Sequence, residues 1–332
     1  MIRSVIRGAA GQTPGLVRMA GCLLLFCLWA AATAGHATAT DAARGALREE
    51  ALVLVNRDRA AHGLPPLAPD DRLSAAAQSH AADMLARNYV EHVSPEGRTP
   101  TDRYVAAGGS ATHAVAENIA ACEHCPPLDA GQVARLEAGW MASAGHRRNL
   151  LGAGFERFGF GVSADAAGRL YAVQMFAGPG EPRQGDDGPA PRMLGADGQL
   201  ATAIDLANAA RTARGLQPLS PSRALSVAAR TLVARRPGTE LAGVGDIPPD
   251  EVLGAVPAPE RGRWRALSLL VGECGGCGRE PTDADLRFFA ERWLGSDAPG
   301  GLTDPEATHL GVAIGSDGEG RKTALLVIGI GR

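Results

Sequence analysis

Lysine is almost missing from this chain: Lys322 is the only one, so the positive charge is carried by arginine. That excludes a P-loop lysine, a Schiff-base lysine or a Ser-Lys dyad anywhere before residue 322. A basic field is also missing. Lys+Arg is 33 against Asp+Glu 36, a formal net charge of -3, and a nucleic-acid partner would ask for the opposite balance. No H-E-x-x-H and no G-x-S-x-G is present, which removes the two commonest local signatures of hydrolases. No apolar run reaches the roughly 20 residues of a membrane span.

The chain does have a leader-like start. Arg3, Arg7 and Arg18 precede the apolar stretch from Leu23 to Ala32, and Ala37-Thr38-Ala39 follows. Positive front, short apolar middle and small-residue end are the order of a secretory signal peptide. Residues 1–39 are therefore expected to be a cleaved signal, with Ala32-Thr33-Ala34 as a second cleavage candidate. An uncleaved N-terminal anchor is the competing reading. After cleavage no stable membrane span is expected, and the protein is placed in the periplasm or outside the cell.

Beyond the leader, the 332-residue chain repeats itself. A constant shift of 152 positions lays Asn56, Arg59, Gly63, Leu64, Pro66 and Leu67 on Asn208, Arg211, Gly215, Leu216, Pro218 and Leu219. It also lays Cys122 and Cys125 on Cys274 and Cys277, while Trp140 meets Trp293 after one extra residue. That register predicts a duplicated domain: 44–178, then a Gly-, Pro- and Asp-rich linker at 179–198, then 199–332. Each copy starts with helical periodicity and ends with strand patterns. In the first copy the stripe Leu73, Ala76, Ala77, His80, Met84 predicts a helix capped by Asp70 or Asp71. Phe158–Ser163 and Leu170–Ala177 predict a hairpin. Helices first and an antiparallel sheet later make the class α+β.

The chemistry is concentrated in the first copy. Seven of the eight histidines precede residue 150. His80 lies on an apolar stripe and is expected to be a core histidine with a satisfied hydrogen bond. His62 and His113 are expected on the surface. His92, Glu117 and His146 remain. Glu117 is flanked by Val115, Ala116 and Ile119, so burial would force it to find a partner or shift its pKa. Two histidines and a glutamate could hold a divalent metal such as zinc, form an acid-base pair, or line a polar cleft.

The four mature cysteines admit three readings. Cys122/Cys125 and Cys274/Cys277 could each close a local disulfide, favoured for an exported chain. They could meet as one four-thiolate zinc site. A thioredoxin-like redox role would want a strand before the motif and a helix starting at it, and neither pattern is evident.

Ordered along the first copy stand Val55-Asn56-Arg57-Asp58-Arg59, Gly63-Leu64-Pro65-Pro66-Leu67, His92-Val93-Ser94-Pro95-Glu96-Gly97, Ala116-Glu117-Asn118-Ile119, Trp140 to Asn149, and Val173-Gln174-Met175-Phe176. In these motifs residues 47 to 177 resemble the CAP superfamily (cysteine-rich secretory proteins, antigen 5, pathogenesis-related 1) in its bacterial SCP-like form. The resemblance implies a three-layer α-β-α sandwich and a cleft where His92, Glu117 and His146 converge beside Asn118 and Asn149. It departs from the family at Ala116, usually glycine. It departs again at Ser143, where animal and plant members place a second glutamate. By the shift, the second copy has Val244 for His92, Leu269 for Glu117, Pro299 for His146 and Leu302 for Asn149. It reads as a degenerate copy of the fold. The functions this implies are capture of a small lipid-like or envelope-derived ligand, metal-assisted hydrolysis in the same site, or protein interaction through the second copy.

Overall fold

In a computed structural model the structure describes residues 23–183, 190–235, 247–295 and 300–332. The front of the expected signal, including Arg3, Arg7 and Arg18, lies outside the described residues, as do Val244 and Pro299. Residues 1–47 form one unit and Arg48–Arg332 another. Among the described residues no helix is long and apolar enough to cross a membrane.

The described residues form a mixed α+β structure with two four-stranded sheets. The first half runs α1 (Leu23–Ala61), β1 (Ala68–Pro69), α2 (Asp71–Arg87), α3 (Pro100–Ala106), β2 (Ala114–Cys122), α4 (Ala130–Ala142), α5 (Ala144–Leu150), β3 (Arg157–Ala164) and β4 (Leu170–Gly178). Its sheet has the order β1-β3-β4-β2, with β1 parallel to β3 and the other pairs antiparallel. The second half runs α6 (Ala196–Thr212), β5 (Ser220–Pro221), α7 (Arg223–Ala234), α8 (Pro249–Ala255), β6 (Trp264–Cys274), α9 (Asp283–Leu294), β7 (His309–Ser316) and β8 (Lys322–Gly331). Its sheet has the order β5-β7-β8-β6 with the same senses of pairing.

β4 is buried along its whole length, as a strand covered on both faces must be. Side chains alternate along it. Tyr171, Val173, Met175 and Ala177 pack with Leu73, Ala77, Ala81 and Met84 of α2. Gln174 points the other way and reaches Glu137 of α4. α2 starts where expected: the Asp70 side chain accepts from Arg72 N and Leu73 N, and Asn88 closes the helix in the left-handed region. It lies directly on main chain. A Cβ added to Gly159 would sit 2.3 Å from Ser74 N, and one added to Gly161 would sit 2.1 Å from Gln78 N.

One fully buried arginine stitches each half. Arg59 donates to the carbonyls of Pro65 (2.9 Å), Leu150 (3.0 Å) and Gly152 (2.9 Å). Arg211 donates to Gln217 (2.7 Å), Leu302 (2.8 Å) and Asp304 (2.8 Å). Asn56 and Asn208 likewise pin Leu67 and Leu219 through both amide groups. These contacts convert an entry loop into a fixed corner, because each satisfies carbonyls that burial would otherwise orphan.

The cysteines close as two local disulfides, Cys122–Cys125 and Cys274–Cys277. A shared four-thiolate zinc site is ruled out by placement as well as pairing. Gly276 N donates to Thr112 O at 2.7 Å, so the second loop docks beside the start of β2, whereas Cys122 ends that strand. Eight residues of strand separate them, about 26 Å at 3.3 Å per residue. The absence of a preceding strand is also corrected: β2 ends at Cys122 and β6 at Cys274. The next helices, α4 and α9, begin some residues after each motif. Ala196 to Gly198, expected as linker, instead open α6. Residues 184–189 of the expected linker lie outside the described residues.

Candidate functional site

β2 was hidden in the sequence because its middle is polar, and it is the strand that carries Glu117 and Asn118. The Glu117 side chain is 1% exposed. A bare carboxylate at that depth is too costly to persist, and three groups meet it. Arg103 Nη2 of α3 donates to Oε2 at 2.7 Å. His92 Nδ1 donates to Oε1 at 2.9 Å. His80 Nε2 of α2 stands 3.9 Å from the same oxygen while donating to Glu91 O at 2.9 Å. Arg103 also donates to the carbonyls of Arg98 and His92, each at 2.9 Å. One guanidinium thus fixes the carboxylate and the loop that carries His92.

The histidines differ in environment. The His92 side chain is 52% exposed, and the hydrogen bond it donates to Glu117 raises its pKa. His146, half-buried on α5, is lowered by burial and by the nearby charge of His92. His80 is lowered because desolvation outweighs the attraction of Glu117. His80 is thus buried and hydrogen-bonded as expected, and it also faces the carboxylate. His113 is not a surface residue. Its side chain is 7% exposed, stacked on Tyr104 and 3.4 Å from Glu319.

Asn118 and Asn149 tie the second histidine to the strand. Asn149 Nδ2 donates to Asn118 Oδ1 (2.9 Å) and to Glu117 O (3.1 Å). Asn118 Nδ2 donates to His146 O (3.2 Å) and to Gln174 Oε1 (3.1 Å). α5 is therefore bonded to β2 at the level of Glu117. Of the site residues expected from sequence, His92 and Glu117 touch directly, and His146, Asn118 and Asn149 join through amides. Arg103, His80, Gln174 and Glu137 were not picked out as site residues. Arg103 had one available signal: an arginine in the polar stretch between His92 and Glu117, able to balance a buried acid.

The donor set fits a three-ligand metal poorly. Both Glu117 oxygens are engaged and a guanidinium lies against one of them. Among the described residues no group of three or more His, Cys, Asp and Glu side chains is placed to hold a metal ion. Around the cleft the surface is mixed. Val90, Val93 and Val105 are exposed, two of them flanking His92. A polar cavity of about 350 Å³ is lined by His80 and Arg103 together with Asp83, Arg87, Glu96 and Arg98.

Residues 52–176 match the family model of the cysteine-rich secretory protein family, CAP, and form a CAP domain. The chain is similar to the uncharacterized protein YkwD of Bacillus subtilis (strain 168), 34% identical over 139 residues, 42% of this chain and 50% of that protein. It is similar also to the uncharacterized membrane protein YlbC of the same organism, 34% identical over 128 residues, 39% of this chain and 33% of that protein. The chain thus spans half or less of the length of these curated relatives. Among solved structures, an extracellular protein containing a SCP domain from Bacillus anthracis str. Ames is 33% identical, with 40% of each chain covered and a TM-score of 0.33.

Proposed function

We propose that this is an exported CAP-domain protein whose first half captures a small amphipathic or envelope-derived ligand in the cleft of His92, Glu117, His146, Asn118 and Asn149. The observation that carries the reading is the exposed His92 ring, fixed at Nδ1 by a buried carboxylate and flanked by exposed Val90 and Val93. No partner to Nε2 is seen among the described residues. A polar tip held rigid between two exposed valines suits a ligand with a polar head and an apolar body. The leader-like first 39 residues support export.

Residues 199–332 are read as a degenerate copy of the domain. The matching strand order, the paired bonds of Arg59 and Arg211, and the two tryptophans that donate to Ile119 O and Val271 O support this. Leu269 stands where Glu117 stands. The place of Asn149 is taken by Gly301 and not by Leu302 as the sequence shift suggested, because Leu302 matches Leu150 in its bond from the buried arginine. The second half is thus fitted for packing or for a protein partner.

The test is titration of the full exported chain with a dansyl-labelled long-chain fatty acid, beside a colorimetric ester assay with and without zinc. Saturable fluorescence that Val90→Asp/Val93→Asp abolishes and His92→Ala weakens supports the binding reading. Ester turnover lost in His92→Ala and His146→Ala, without saturable probe binding, would replace it with the hydrolase. Mass spectrometry of the exported chain should find Thr40 as the first residue; an intact Met1 overturns cleavage.

A further inference from the structure

Glu137 lies on α4, one turn before Trp140, and is 1% exposed. Gln174 Nε2 donates to its Oε2. Its Oε1 is buried without a hydrogen-bond partner. With the bonds of Asn149 to Asn118 and of Asn118 to Gln174, this makes a one-way chain of amides. Asn149 gives to Asn118, Asn118 to Gln174, and Gln174 to Glu137. The chain crosses from α5 through β2 and β4 to α4. A carboxyl terminus suits it, since an acceptor at the end sets the direction in which every amide points.

The second half shows what the frame alone needs. Asn118 pairs across the strands with Gln174, and at the same register Leu270 pairs with Leu326. Ala290 precedes Trp293 by the spacing at which Glu137 precedes Trp140, and each tryptophan donates to the residue after Asn118 or Leu270. Leu302 takes the place of Leu150, since Arg211 bonds its carbonyl as Arg59 bonds that of Leu150, so Gly301 stands where Asn149 does. So Leu270, Leu326, Ala290 and Gly301 fill the places of all four chain members, with the same sheet closed around them. Frame residues such as Asn56 and Arg59 keep their polar counterparts in Asn208 and Arg211. A buried polar network adds no stability that apolar packing cannot supply, so these four belong with the cleft and not with the frame.

We propose that Glu137 and Gln174 are positioning residues of the cleft, the buried end of an amide chain that holds α5 and His146 against the strand carrying Glu117. This rests on the cleft being the functional site, but its readout needs no ligand. Burial pushes the Glu137 carboxyl up to about 7, opposed by the Gln174 hydrogen bond, with Asp58 and Arg57 of α1 acting in opposite senses. Near neutral pH, then, the end of the chain changes its charge.

The experiment uses the full chain, isotope-labelled, as wild type, Glu137→Gln and Glu137→Ala/Gln174→Leu, the last copying the second half. In the wild type the Gln174 and Asn149 carboxamide signals should inflect near pH 7, and Glu137→Gln should remove that inflection while the melting temperature moves by only a few degrees. In the double variant, amide exchange across α5 should rise about ten-fold or more, with the β3–β4 hairpin unaffected. An inflection that survives in Glu137→Gln, or α5 exchange unchanged in a folded double variant, overturns the proposal. Should the double variant not fold, the Glu137→Gln titration alone decides. Failure of the fatty-acid titration would leave these signals as they are, so the two readings fail separately.

Discussion

His92 and Glu117 form a pair of opposite exposure, a half-exposed ring bonded at 2.9 Å to a carboxylate that is 1% exposed. Because the bond favours the protonated ring, the folded-state pKa of His92 lies above its unfolded value. The sign follows from linkage. The contribution to stability is complete below the ordinary histidine pKa of about 6.5 and is lost as pH rises through the raised folded value. Proton NMR of the ring should show a lower His92 pKa in Glu117→Gln. The gap in melting temperature between wild type and His92→Ala should shrink from pH 5 to pH 8. A gap that grows with pH would contradict the pairing.

Glu117→Gln should also destabilise the chain by itself. It leaves the 6%-exposed Arg103 without its counter-charge, and breaking a buried pair from one side costs about 3–5 kcal/mol. Urea unfolding checks it. Arg103→Met in the same background should recover part of the loss, because the stranded cation is then gone. No recovery would mean that Arg103 acts mainly through its bonds to the carbonyls of Arg98 and His92.

Arg59 and Arg211 predict a matched pair of losses. Replacing either by methionine strips hydrogen bonds from several buried carbonyls, and each orphaned group costs about 1–3 kcal/mol. The two variants should lose similar stability, roughly 3 kcal/mol or more by the same count. A much smaller loss for Arg211→Met would show that the second half is held by other means.

Gly180 is a test of the contact made by the Cys274–Cys277 loop. A Cβ there would sit 2.1 Å from Gly276 O, and its φ of +79° already disfavours any other residue. Gly180→Ala should expose the Thr112–Ala114 segment, where Gly276 N is bonded to Thr112 O. Hydrogen exchange should rise there and at Gly276 while the α2–β4 core stays protected. Unchanged exchange would mean that the loop yields without leaving its seat.

The two disulfides should also part company. Cys122 and Cys125 are half-buried, whereas Cys274 is 8% and Cys277 1% exposed. Under limiting reductant, alkylation mapped by mass spectrometry should mark the first pair before the second. Equal marking would argue that the second loop opens as readily as the first.

Much of this was legible because burial follows periodicity. The α2 stripe, the Asp70 cap and the β3–β4 hairpin announce themselves by spacing. β2 does not, since Glu117 and Asn118 break the apolar alternation that marks a strand, and they break it because they face the amide chain and the arginine. Arg103 and His80 were missed for a related reason: their partner is distant in sequence, so charge balance shows only in three dimensions. Glu137 falls between Val133 and Trp140 on the buried face of α4, so the helical stripe shows its depth, but its partner Gln174 lies too far along the chain to be read from it.

Because α2 rests on the bare main chain of Gly159 and Gly161, the spacing between helix and sheet is a length fixed by backbone thickness. His80 rides on that helix one turn further along, and Glu117 hangs from the same sheet two strands away. The distance between them is thus gauged at β3 by main-chain contact, with side-chain volumes entering only at β4. Conservative exchanges in the surrounding core should leave the site in calibration, whereas a single methyl group on either glycine would lift the helix and detune every contact that Glu117 makes through it.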